Sequence, residues 1–235
     1  MARLLEAIRK GEDVALVYMT DGGDYSARRD NETRTVLARA GVRPDRLFFV
    51  GSQLKLPDGK LYQHADRAFA ALDRVLDTLP RPSKSITHAW EGGHQDHDCV
   101  HAIAVLALQS RGLGGTTYQM PFYREIRRLR KYFAPCAPLA ENGPVERAYR
   151  PWNDVIWTLS SMFSYGTQWR TFRWHGPAML LRRMLTPWDS LQPVSIARLS
   201  ERPHAGQLHY ERRFNTRWED VSQAVSSLAS RVVPQ

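Results

Sequence analysis

Cysteine is scarce, with only Cys99 and Cys136 in 235 residues. Two thiols cannot build a disulfide framework, and a reducing cytosol is the simplest setting, so the chain is read as cytoplasmic. Long apolar runs are missing too. The longest, residues 14–19 and 102–108, fall far short of the roughly 20 residues that a membrane span needs. The opening residues carry Glu6 inside their only apolar patch and have no small-residue cleavage site, so they do not read as a signal peptide. There is no internal repeat and no low-complexity tract. Gly-x-Gly-x-x-Gly is absent, which argues against a dinucleotide site. Acidic residues are outnumbered, 24 against 33 Lys+Arg, for a net charge of +9.

Much of that excess lies in residues 124–131 and 170–183, interleaved with Tyr123, Tyr132 and Phe133 or with Trp169, Phe172 and Trp174. Nucleic-acid binders use such mixtures, arginine for phosphate and rings for bases. The plainer reading is an amphipathic helix with a solvated basic face, and nucleic acid is not the expected partner. An anionic group on a sugar conjugate, or an anionic membrane surface, is the functional alternative for this basic C-terminal half.

The first half alternates regularly. Leu4, Leu5 and Ile8 share one helical face before Gly11, and residues 14–19 form a continuous apolar run, as in a strand buried on both faces. A helix over 28–40, a strand over 46–50, a helix over 65–79, a strand over 85–90, a helix over 96–109 and a strand over 116–120 follow. This order predicts an α/β fold: a Rossmann-like, doubly wound, mainly parallel sheet with helices on both faces. Pro135, Pro138, Pro144 and Pro151 then break the pattern. Helices are expected near 152–163 and 176–185, a strand over 207–214, and a closing helix from Trp218 to Val232. The organisation is therefore a core over 1–120 and an irregular, α-rich C-terminal elaboration of the same domain over 121–235.

The densest chemical cluster is Gly92-Gly-His-Gln-Asp-His97, between a predicted strand and helix at the carboxyl edge of the sheet, where α/β proteins place their sites. Gly92 and Gly93 let the backbone turn tightly and approach a ligand. His94 and His97 bracket Asp96; one imidazole can hold a metal, another can reach the reacting group, and a carboxylate can orient an imidazole. A capped helix with solvated histidines is the competing reading, since Asp96 and Asp98 suit a helix N-terminus. Thr20-Asp-Gly-Gly-Asp24 ends the first strand, and Arg29 and Glu32 open the next helix, either as cleft residues or as a surface pair. Cys99 reads as a packed thiol. His97 and His101 have the i, i+4 spacing of metal ligands, but His101 reads as part of the helix body, and the scattered His64, His88, His175, His204 and His209 read as structural.

Together, Thr20-Asp-Gly22, Arg29-x-x-Glu32, Ala40-Gly-Val42, Arg46-Leu-Phe-Phe-Val50 and Gly92-Gly-His-Gln-Asp-His97 resemble the N-acetylglucosaminyl-phosphatidylinositol de-N-acetylase family, also called LmbE-like deacetylases. Tyr165-Gly-Thr-Gln168 resembles a later element of that family. The resemblance implies zinc-dependent removal of an N-acetyl group from an amino-sugar conjugate. By it, His97 ligates zinc, His94 acts on the tetrahedral oxyanion or the leaving amine, and Asp96 orients His94. Asp21, Gly22, Arg29 and Gly93 fall on the substrate side.

The family's first motif, Ala-His-Pro-Asp-Asp-Glu, carries two further zinc ligands and the general base, and this sequence has no such stretch. The zinc site is therefore expected to be incomplete, and Met1 to correspond to an internal methionine of a longer chain. The edge of the first strand would then stand open, favouring a homo-oligomer. A catalytically incomplete member, binding an anionic glycan, lipid or nucleic acid, is the alternative reading.

Overall fold

The computed structural model describes residues 2–125 and 133–232. Contacts group the chain into two compact units, Met1–Lys55 with Arg147–Asp189, and Leu56–Glu146 with Ser190–Gln235.

The first unit opens with α1 (Ala2–Arg9), β1 (Leu16–Val17), α2 (Ser26–Ala40), β2 (Leu47–Phe48) and α3 (Val50–Leu54). Strands β1 and β2 are parallel, Leu16 opposite Leu47 and Val17 opposite Phe48. Leu37, Val42, Leu47 and Phe49 form the local core, with Leu4, Ile8, Leu16 and Tyr18 packed on it. Helix α2 stops at Gly41, whose positive φ of 95° ends the helix without strain. The run 14–19 is only half-buried up to Tyr18 and is fully buried only at Met19, which corrects the expected strand buried on both faces. Its inner side chains rest on the Leu37–Phe49 cluster, and only two residues meet a partner strand.

The second unit continues with α4 (Ala65–Thr78), β3 (Ser85–His88), α5 (Gln95–Gln109), β4 (Thr117–Met120), β5 (Tyr123–Glu125) and β6 (Phe133–Pro135). Strands β3 and β4 are parallel in the register Ser85↔Thr117 to His88↔Met120. Helix α5 is the centre of this unit: Cys99, Ala102, Ile103, Val105 and Leu106 are at most 1% exposed. The basic run 124–131 lies, from residue 126 on, outside the described residues.

The chain passes through β7 (Glu146–Tyr149) into α6 (Trp152–Met162) and α7 (Trp169–Leu185) of the first unit. It returns through β8 (Trp188–Pro193), which runs antiparallel to β4 with Gln119 opposite Gln192. Helix α7 begins seven residues before the expected 176 and carries Pro177 on its exposed side. The last elements, α8 (His209–Arg213) and α9 (Trp218–Val232), belong to the second unit. The expected strand over 207–214 is therefore a helix. Glu211 bends back to accept the Leu208 N–H at 2.7 Å, and burial of both Leu208 and Tyr210 produces the alternation that imitates a strand. The α/β class stands, with two parallel strand pairs, although β1–β2 and β3–β4 belong to separate sheets.

Candidate functional site

In the second unit, the end of β3 leads through buried Trp90 and Glu91 to Gly92-Gly93 and into α5. Glu91 accepts the N–H groups of Phe122 (2.9 Å) and Tyr123 (2.7 Å), binding this loop to the chain after β4. Gly93 is required by that approach: a Cβ there would lie 2.5 Å from Tyr123 Cβ and 2.8 Å from its carbonyl oxygen. His94 is the N-cap of α5, its Nδ1 accepting the Asp96 N–H at 3.2 Å. That bond assigns the proton of the neutral ring to Nε2. Burial lowers the His94 pKa, so the neutral ring is the form present near pH 7.

One turn on, the His97 ring stacks on His88 with centroids 3.8 Å apart and on Tyr123 at 5.1 Å. His97 Nδ1 is buried with no hydrogen-bond partner among the described residues, and burial holds its pKa well below the ordinary value. His88, read from sequence as scattered, is thus part of the cluster. The available signal was its place at the carboxyl end of a parallel strand beside the motif. His101 is structural: its Nδ1 lies 2.7 Å from the His88 carbonyl oxygen and its ring leans on Trp90. Burial pulls both His88 and His101 down to about 4.

The carboxyls serve the backbone first. Asp96 accepts the N–H groups of Gly59 and, at 3.0 Å, Leu61, while its Oδ2 stands 4.0 Å from His94 Nδ1. His94 is thus oriented by the Asp96 amide rather than by a close bond to its carboxylate. Burial raises the Asp96 pKa to about 7 against the lowering by the Gly59 and Leu61 N–H groups, and the neighbouring Asp58 carboxyl raises it further by charge repulsion and by a shared side-chain hydrogen bond. Asp58, which the sequence reading left in a polar loop, therefore belongs to the cluster. Asp98 is fully buried and accepts the N–H groups of Glu91 and Gly92 at 3.2 Å. Cys99 is a packed thiol, its pKa pushed up by burial.

The other motif residues assemble within the first unit. Asp21 accepts the Gly23 N–H at 2.8 Å. Gly22 has φ 75° and lies under Arg29, where a Cβ would come 2.7 Å from Arg29 Cδ. With its amide oxygen turned to the guanidinium, as those donors require, Gln168 accepts from Arg29 Nη2 at 2.8 Å and Nε at 3.1 Å. Glu32 accepts from Thr167 N (3.2 Å), Thr167 Oγ1 (2.5 Å) and Arg28 Nε (3.2 Å). Arg29 and Glu32 are thus each engaged with the 165–168 segment.

A zinc site takes about three protein ligands and an open water position. The orphaned His97 Nδ1 suits one of them. Among the described residues, however, no group of three His, Cys, Asp or Glu side chains is arranged to hold a metal, so these residues do not fit a complete zinc site.

The fold is that of deacetylases of known structure. The A40926 pseudoaglycone deacetylase Dbv21 aligns at TM-score 0.57 and 17% identity, over 87% of this chain and 92% of that one. A deacetylase–bog complex from the teicoplanin biosynthesis pathway aligns at TM-score 0.57 and 14% identity, over 83% of this chain and 91% of that one. Residues 1–108 match the family model PIG-L, GlcNAc-PI de-N-acetylase. No curated protein matches the chain.

Proposed function

We propose that the chain carries the substrate-facing part of a de-N-acetylase centre acting on an N-acetylated amino-sugar conjugate. The observation that carries this reading is the committed tautomer of His94. Its Nδ1 accepts a backbone N–H, leaving Nε2–H to donate. In amide hydrolysis, water adds to the acetyl carbonyl, negative charge gathers on its oxygen, and the C–N bond then breaks to give acetate and the free amine. A fixed neutral N–H donor suits that oxyanion. It does not suit protonation of the leaving amine, because Nδ1 would have to give up its bond for the ring to become an imidazolium. Asp96 acts as a positioning residue through its amide. Gly93, and within the first unit Asp21, Gly22 and Arg29, are proposed to contact the sugar.

Zinc is proposed to use His97, and the described residues alone leave that site short of ligands. Residues 1–235 are therefore expected to purify with well under one zinc per chain. A fusion placing the family's Ala-His-Pro-Asp-Asp-Glu strand ahead of Met1 is expected to gain zinc and to release acetate from N-acetylglucosamine conjugates. In that fusion His94→Ala is expected to lower kcat by about 10²- to 10³-fold, the usual loss for one oxyanion donor. Acetate release at the parental rate by the His94→Ala fusion would show the assignment to be wrong, and tight stoichiometric zinc in the unmodified chain would show that the ligands lie elsewhere.

A further inference from the structure

Helix α6 is inside out. Trp152, Ile156, Leu159 and Phe163 fall on one stripe at i, i+4, i+7 and i+11, the spacing of a single helical face. Trp152, Ile156 and Phe163 on that stripe are 56, 62 and 75% exposed. The opposite face, carrying Asp154, Thr158 and Ser161 beside Val155, is the buried one. Its burial is stabilised by polar bonds: Arg9 grips Asp154 through two contacts of 2.6 and 3.0 Å, and Thr158 and Ser161 bond back to the carbonyls of Asp154 and Trp157. Helix α7 extends the exposed apolar surface with Trp169, Leu181, Met184 and Leu185, all more than half exposed, and Phe163 reaches Trp169 with ring centroids 6.2 Å apart.

An exposed apolar face of this kind, joined from α6 to α7 at Phe163 and Trp169, marks a contact surface. The charge of the segment that carries it indicates what makes the contact. Helix α7 contains Arg170, Arg173, Arg182 and Arg183 and no acidic residue. The only acidic residues between 147 and 189 are Asp154 and Asp189, both buried and each bonded to an arginine. A second copy would bring like charges together across the contact. An anionic lipid surface meets both requirements: its headgroups answer the unbalanced positive charge of this segment, of which Arg173 is exposed, and its interfacial layer takes the Trp, Phe and Leu side chains.

We propose that the α6–α7 face lies on the surface of an anionic bilayer, with Trp152, Ile156, Phe163 and Trp169 entering the interface. No helix among the described residues is long and apolar enough to cross a membrane, so the contact is one of lying on the surface. The proposal does not depend on the deacetylase reading.

The test is flotation of the full chain with phosphatidylcholine vesicles, with and without phosphatidylglycerol. Binding is expected only with the anionic lipid, and added salt is expected to weaken it. Ile156→Ser combined with Phe163→Ser is expected to reduce partitioning about tenfold or more. Both side chains are exposed, so the far-UV spectrum and thermal midpoint of this variant are expected to match the parent, and an Arg173→Glu variant that also binds less would confirm the electrostatic part. Failure of the parent to float with anionic vesicles would overturn the proposal. So would equal flotation of the folded double variant, or a parent dimer that the double variant dissolves, since the face would then be covered by a second copy.

Discussion

The two clusters that carry the motif residues are held by opposite means. In the second unit, His88, His94, His97 and His101 are neutral rings kept in place by stacking, an N-cap bond and a carbonyl contact, with burial as the common influence on their pKa values. In the first unit, Arg29, Gln168, Glu32 and Thr167 are joined by charge-assisted hydrogen bonds on half-buried or exposed side chains. A buried neutral cluster can present a donor of fixed direction to a reacting group. A solvated charged one can adjust to the outline of a sugar. The proposed roles, chemistry for the first and recognition for the second, rest on that difference.

The sharpest way to break the first cluster is Gly93→Ala. The new Cβ would meet the Tyr123 backbone, which is tied to Glu91, so little can give way. The expected loss is about 3 kcal/mol or more, read as a lowered denaturant midpoint. A normal midpoint would mean that the Gly93–Tyr123 approach is looser than the structure shows.

Acidification should separate the two clusters next. His88 and His101 drop from 6.5 unfolded to about 4 folded, so the unfolded chain binds more protons between those values and stability falls as pH falls through that window. His94 and His97 are shifted the same way. Asp96 and Asp98, raised from 3.8, act in the opposite sense, and four imidazoles outweigh two carboxyls. The metal-free second unit is expected to lose on the order of 1–3 kcal/mol per pH unit between about 6.5 and 4. Hydrogen exchange of β3 and α5 should then accelerate before that of α2. Simultaneous acceleration would contradict the contrast.

A smaller effect is expected from Gln168→Ala. It removes the acceptor facing Arg29, for a loss of about 1–2 kcal/mol in the first unit and a raised KM, with kcat unchanged in any active form. A drop in kcat alone would move this cluster from recognition to chemistry. Least of all should follow from Asp13→Ala, which breaks only an exposed pair with Arg46. Its thermal midpoint is expected to match the parent's, and a clear drop would show that solvated pairs in this unit matter more than their exposure implies.

Local pattern was legible wherever one short segment carried its own signal. Helices α2, α4, α5 and α9 have apolar spacing and end signals within one stretch, and Gly92-Gly-His-Gln-Asp-His97 places its glycines, cap and ligand candidate in consecutive residues. The segment 207–214 misled because alternate burial of Leu208 and Tyr210 has the period of a strand, while the bond from Glu211 that turns the chain is invisible in hydrophobicity alone. His88 and Asp58 were missed because neither lies within a motif; they join the cluster only when β3 and the 57–59 loop are brought against α5.

The sequence by itself determined the alternation of strand and helix, the family pattern over the first half, and the short turn from Gly93 to His97, because these depend on neighbours in the chain. Tertiary structure decided which histidines are structural, that His97 Nδ1 has no hydrogen-bond partner among the described residues, which nitrogen of His94 bears the proton, and which face of α6 meets solvent. Those outcomes depend on burial and on partners many residues away: an imidazole loses its charge when packing removes its water, and the polar side of a helix is buried only where a distant arginine such as Arg9 is there to meet it.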